Sequence, residues 1–152
     1  MCFLLYAGTS KPIARSKWQR EAPGIYVQSL IEYDAAIRVH FSNPEVQQIG
    51  STSGCGCDFP HLMYQNGGWR GYLEAETDEE RVASDRFNRM SLADLLQTTG
   101  EAAIELYGVW AGDFAEEPRI REEVSLECIH GDGFHFKERG FYRVAIKGPH
   151  DD

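Results

Sequence analysis

The sequence predicts an α+β fold, a single domain over residues 1–152 with a mostly antiparallel or mixed β-sheet and two to three helices packed on one face. Three observations carry this expectation. Short apolar, β-branched and aromatic segments stand at both ends of the chain, helical patterning is confined to the middle, and 152 residues suit one core. The 42% hydrophobic and 26% charged content is that of an ordinary globular chain, so the core needs neither disulfides nor a structural metal.

Residues 2–7 read as a strand. Cys2, Leu4 and Tyr6 on one face and Phe3, Leu5 and Ala7 on the other are all apolar, which suits a strand covered on both sides. Gly8-Thr9-Ser10 ends it, and Pro12, Pro23 and Gly24 break the irregular stretch that follows. Residues 25–31 form a second strand with Ile25, Val27 and Ile31 on one face. Over residues 34–42, Ile37, Val39 and Phe41 alternate as in a strand, yet Asp34-Ala35-Ala36 starts and Ser42-Asn43-Pro44 stops a short helix, which is the preferred assignment. Residues 45–49 make a strand that runs into a glycine- and cysteine-rich loop.

Residues 58–73 contain Pro60, Gly67, Gly68 and Gly71 among Phe59, Tyr64, Trp69 and Tyr72. They read as a long aromatic loop with at most a short strand at 69–74. Thr77-Asp78-Glu79-Glu80 is a capping box for a helix over 78–90, with Ala83, Phe87 and Met90 as its apolar stripe. Leu92, Leu95 and Leu96 are out of phase with that stripe and Ser91-x-x-Asp94 offers a fresh cap, so a second helix is expected over 92–99, ended by Gly100. Strand patterns return at 103–110, 122–130, 134–138 and 141–147.

The net charge of −9 argues against a nucleic-acid partner, since affinity for phosphate backbones comes from clustered Lys and Arg. Lys11, Arg15, Lys17 and Arg20 read as a solvated loop. The longest apolar run, residues 2–7, is too short to cross a bilayer and has no leader-like flank. A cytoplasmic protein with reduced thiols is therefore expected.

The chemistry concentrates in Gly50-Ser51-Thr52-Ser53-Gly54-Cys55-Gly56-Cys57. Two thiols one residue apart can chelate a metal, form a strained and exchangeable disulfide, or fill a tight turn. Zinc or another soft metal needs about four ligands, and this loop supplies Cys55 and Cys57, with His61 nearby as a third candidate and Cys2, Cys128, His130 and His135 elsewhere in the chain, some of which the fold would have to bring in. A phosphate cradle is disfavoured, because the P-loop lysine is missing and Pro60 breaks the helix that should follow. Cys2 supports a different possibility. With Met1 removed, its α-amine would lie beside its thiol, as in N-terminal-nucleophile hydrolases. The apolar strand around it argues instead for a small, packed and unreactive core residue. His130 and His135 flank Gly131-Asp132-Gly133. A two-residue turn at Asp132-Gly133 would set the histidines opposite each other, where they could share a metal, but the favoured three-residue loop aligns Val124, Leu126, Cys128 and His130 with Phe134 and Phe136 and points the histidines apart. Tyr107, Trp110 and Asp113 read as a strand end and turn rather than a polar pocket.

The Met-Cys start, Phe41-x2-Pro44, Gly50-Ser51-x2-Gly54-Cys55-Gly56-Cys57-x-Phe59 and Glu105-Leu106-Tyr107-Gly108-x-Trp110-x-Gly112-Asp113 resemble a small family of uncharacterised bacterial proteins over most of the chain. The resemblance implies a bacterial cytosolic domain and no particular activity. The sequence thus leaves three functional classes open. They are a Cys-Gly-Cys thiol loop for metal binding or redox exchange, a homo-oligomer or protein-binding module using the aromatic loop 59–73, and an N-terminal-cysteine hydrolase.

Overall fold

The computed structural model describes residues 2–65, 68–71 and 79–146, with the backbone alone for 62–65 and 68–71. In chain order the elements are β1 (Phe3–Thr9), β2 (Tyr26–Ser29), a 3-10 helix (Ala35–His40), β3 (Glu45–Gly50), β4 (His61–Gln65) and β5 (Gly68–Gly71). They continue with α1 (Glu79–Gln97), β6 (Ala103–Trp110), β7 (Ile120–Ser125), α2 (Leu126–His130), β8 (Phe136–Lys137) and β9 (Gly140–Ala145). A six-stranded mixed sheet has the order β2-β3-β1-β6-β9-β7, and a three-stranded sheet the order β5-β4-β8. The α+β class follows directly.

β1 lies in the interior of the large sheet because both of its faces are apolar. Phe3, Leu5 and Ala7 join Ile49, Ile104, Leu106, Tyr142 and Val144 beneath Leu92, Ala93 and Leu96 of α1 and Ile129 of α2. On the opposite face Tyr6, Val46, Tyr107, Val109 and Phe141 pack with Ile37 of the 3-10 helix and with Phe114. Both α-helices therefore cover one face, and the 3-10 helix helps cover the other. Polar groups buried on that second face are paired, as burial requires. Tyr6 donates to Asp34 at 3.0 Å, and Glu105 accepts from the Ser42 and Asn43 amides at 3.1 and 2.8 Å.

Several elements differ from the sequence expectation. One helix, α1, replaces the pair at 78–90 and 92–99. Its buried face is Asn88, Arg89, Leu92, Ala93 and Leu96, while Phe87 and Met90 are 54% and 37% exposed. The apparent phase break arises because, in the middle of the helix, the polar Asn88 and Arg89 point inward and the apolar Phe87 and Met90 outward. Thr77 of the capping box lies outside the described residues. The expected strand 122–130 stops at Ser125, whose hydroxyl accepts from the Cys128 amide at 3.2 Å and caps α2. No hairpin forms around Gly131-Asp132-Gly133. β7 instead pairs in parallel with β9, Val124 opposite Val144, and a parallel pair needs a crossover, which α2 begins. The segment 58–73 carries an antiparallel hairpin, with Met63 of β4 opposite Arg70 of β5, where a loop was expected. Phe59 is fully buried and packs edge-on against Phe136 at 6.2 Å, so it belongs to the core and not to a contact surface. The side chains of Tyr64 and Trp69, and Tyr72 as a whole, lie outside the described set. Among the described residues no helix is long and apolar enough to cross a membrane.

Candidate functional site

The antiparallel register of β1 and β3, Leu5 opposite Ile49, sets the start of β1 beside the loop that leaves β3. Cys2 precedes β1, and its carbonyl is held by the Ala111 amide at 2.8 Å. Cys55 and Cys57 hang from the loop. The three Sγ atoms all lie within 4.8 Å of one another. Cys2 is exposed and the other two are half-buried, and none of the three is in a disulfide. The expectation that Cys2 packs as a small core hydrophobe fails, because β1 begins only at Phe3 and leaves the preceding residue at the surface.

The loop is held from four sides. Beneath it, a Cβ on Gly56 would stand 2.5 Å from the Phe3 carbonyl oxygen, so the chain between the two cysteines rests directly on the backbone of β1. Within it, Asp58 accepts from the Ser53 amide at 2.8 Å and the Ser51 hydroxyl at 2.9 Å. From α1, the buried Asn88 accepts from the Thr52 amide at 3.2 Å and donates to the Thr52 hydroxyl at 3.1 Å. From the N-terminal segment and β2, the Trp18 indole donates to the Thr52 carbonyl at 2.8 Å and the Tyr26 hydroxyl to the Gly54 carbonyl at 2.6 Å. Gly54 has φ of +88°, a left-handed conformation that a side chain would disfavour.

Two backbone amides point at the sulfurs. Phe3 N–H donates to Cys57 Sγ at 3.2 Å, and Cys57 N–H donates to Cys55 Sγ at 3.4 Å. Burial works against a Cys55 thiolate. Contacts with Ser53, with the Cys57 amide and thiol and with the Cys2 thiol outweigh it and hold Cys55 below the ordinary thiol range. Cys57 is pushed up to about 12, first by burial and then by its sulfur neighbours, against the pull of the Phe3 amide. Tyr26 is raised, chiefly by burial and then by Cys55 and Cys2, which marks its hydroxyl as a neighbour of the cluster. The cluster can hold a thiophilic cation or exchange disulfides.

His61 is not one of the clustered donors. Its ring stacks on Phe3 at 4.7 Å and 6° and meets Trp110 edge-on at 5.5 Å, while Nδ1 lies 3.1 Å from the Phe59 carbonyl. Burial first, then Arg81 and His135, hold its pKa down despite that carbonyl, so it is a neutral core histidine. His130 is exposed at the end of α2. Tyr107 is buried and donates to the Glu116 carbonyl at 2.6 Å, and Asp113 closes a turn onto the Trp110 carbonyl at 3.0 Å, so this stretch is a strand end and turn. Sequence reasoning found Cys55 and Cys57 but chose His61 as the third donor, leaving Cys2 among several distant candidates, and missed Trp18, Tyr26, Asp58 and Asn88 as the frame. Pairing strand 2–7 against 45–49 is the one inference that would have found Cys2.

No protein-family model matches this sequence, and comparison with curated proteins and with solved structures finds no significant match.

Proposed function

We propose that this protein binds a soft metal ion through Cys2, Cys55 and Cys57. The observation that supports this reading is the convergence of three sulfurs, from two separate segments of chain, to within 4.8 Å of one another. Thiolates select soft or borderline ions such as zinc and cuprous copper over magnesium or calcium. With metal–sulfur bonds of about 2.3 Å, sulfurs around one ion stand roughly 4 Å apart, so small side-chain rotations suffice to close the site. A loop already braced by Asp58, Asn88, Trp18 and Tyr26 loses little conformational freedom on binding, which favours affinity. A reducing cytoplasmic setting keeps such thiols available, and the net charge of −9 sets nucleic acid aside as a partner. The test is elemental analysis of the full chain purified without chelator and after loading with excess zinc or cuprous ion. The expected result is a single equivalent of metal, lost in the Cys55→Ser plus Cys57→Ser variant. Absence of metal under every loading condition would remove this reading.

A second reading, thiol exchange, is favoured by the exposure of Cys2 next to Cys55. Here Cys55 sulfur, as thiolate, attacks a small external disulfide, forms a mixed disulfide and expels one thiolate. Cys2 or Cys57 then attacks Cys55 and releases the second thiol, so the protein gains a disulfide as the external one is reduced. Mass analysis after oxidised glutathione would show loss of two hydrogens per chain. A contact-surface role for residues 59–73 has less support, because Phe59 is in the core.

A further inference from the structure

The following rests on the metal reading above. We propose that the cluster is a three-coordinate, all-sulfur site that takes monovalent cuprous copper in preference to zinc.

The donor set comes first. Among the described residues, the group of close donor atoms consists of the sulfurs of Cys2, Cys55 and Cys57, with no imidazole or carboxylate oxygen in it. The nearest plausible nitrogen in sequence, His61, is packed between Phe3 and Trp110 with Nδ1 at the Phe59 carbonyl. Asp58 lies in the same loop, but it is not among the close donors, and its Oδ2 accepts from both Ser51 and Ser53. The Tyr26 hydroxyl is engaged by the Gly54 carbonyl. Zinc held by three thiolates takes its fourth, tetrahedral ligand from solvent, whereas cuprous copper is the softer ion and is satisfied by three thiolates in a plane.

Rigidity then keeps the loop's own side chains from supplying a fourth ligand. Gly56 rests on β1, Thr52 is tied to Asn88 and Trp18, and Gly54 is tied to Tyr26. A swing of the loop that would bring Asp58 round to the sulfurs breaks several of these at once. The remaining access is from the solvent side, where Cys2 is exposed. The cluster also has the means to carry the charge that a monovalent ion leaves. Three thiolates around a monovalent ion leave more negative charge on sulfur than the same set around a divalent ion. The Phe3 and Cys57 amides, at 3.2 and 3.4 Å, donate to two of the three sulfurs and spread that charge. An exposed third sulfur also lets a partner thiolate enter and take the ion by associative exchange, so a soft-metal carrier is the activity that fits.

The experiment is an anaerobic titration of the reduced full chain against a chromophoric cuprous chelator, with X-ray absorption at the copper edge. The expected result is one cuprous ion withdrawn per chain, with three sulfur scatterers and no nitrogen. A roughly tenfold excess of zinc should fail to displace it. Cys128→Ser, which removes an exposed thiol outside the cluster, should change nothing, whereas Cys2→Ser should weaken binding by about a hundredfold or more. Circular dichroism of Cys2→Ser checks that the surface substitution leaves the fold intact. If zinc binds tightly and resists copper, or if Cys2→Ser binds copper like the parent, the three-sulfur copper inference falls while the metal reading stands. If neither ion binds, both fall.

Discussion

A Cβ added to Gly56 would meet the Phe3 carbonyl oxygen at 2.5 Å and Leu4 Cα at 3.2 Å, both backbone atoms of a strand inside the large sheet. Neither can yield, so Gly56→Ala should lift the loop off β1. The expected cost is about 1–3 kcal/mol in a denaturation midpoint, together with weaker metal binding. An unchanged midpoint would mean that the loop does not bear on the strand. The same small region sets thiol reactivity. Only thiolates alkylate, and Cys57, pushed up to about 12 mainly by burial, stays protonated at neutral pH. Cys55 is held low by its hydrogen bonds in spite of burial. Brief iodoacetamide treatment at pH 7.5 followed by peptide mass analysis should therefore modify Cys55 well before Cys57, and raising the pH should narrow the gap. Equal rates at neutral pH would contradict this ordering. At this scale the Cys-Gly-Cys loop was legible because its residue types and spacing are local. The participation of Cys2 was not, because nothing within the first ten residues refers to residues 55–57.

At the scale of elements, α1 presents two polar residues to the interior. Asn88 is fully buried and holds Thr52, and Arg89, 5% exposed, donates to the carbonyls of Ile129 and Gly131 at the end of α2. Replacing Asn88 by Leu leaves the Thr52 amide without its partner and should cost about 1–3 kcal/mol. Hydrogen exchange should quicken at residues 51–54. Phe87→Ala, on the exposed side of the same helix, should shift stability by less than about 0.5 kcal/mol. A larger effect at Phe87 than at Asn88 would reverse the assigned faces. The hydrophobic pattern pointed the opposite way. Ala83, Phe87 and Met90 read as the apolar stripe, and Asn88 and Arg89 lie outside it. Periodicity counts apolar residues, and it fails where a buried position is filled by a polar side chain that finds its partner on another element.

For the whole molecule, the clearest titration belongs to Asp85. Its carboxyl, 15% exposed and facing a cavity of about 340 Å³ beside Arg89 and His135, is pushed up to about 6, chiefly by burial and against Arg81 and Arg89. An acid with a folded pKa above its unfolded value near 4 binds its proton more tightly when folded. Its contribution is therefore favourable at low pH and is lost as pH rises from about 4 through 6. Asp85→Asn, neutral throughout, should be about 1–2 kcal/mol more stable than the parent at pH 8 and nearly equal to it at pH 3.5, a figure discounted for partial exposure. Unfolding curves at the two pH values decide this, and an equal shift at both would assign the effect to packing. The sequence by itself determined the α+β class, strands over 2–7, 45–49 and 103–110 that overlap β1, β3 and β6, a short helix within 34–42 and the thiol loop. Each of these is written in local alternation, breakers and caps. Only the tertiary structure decided that residues 126–130 coil into a helix, that β7 runs parallel to β9, and that Cys2 completes the cluster. Those outcomes depend on which strand lies beside which, and strand pairing is a contact between segments far apart in the chain that no local pattern encodes.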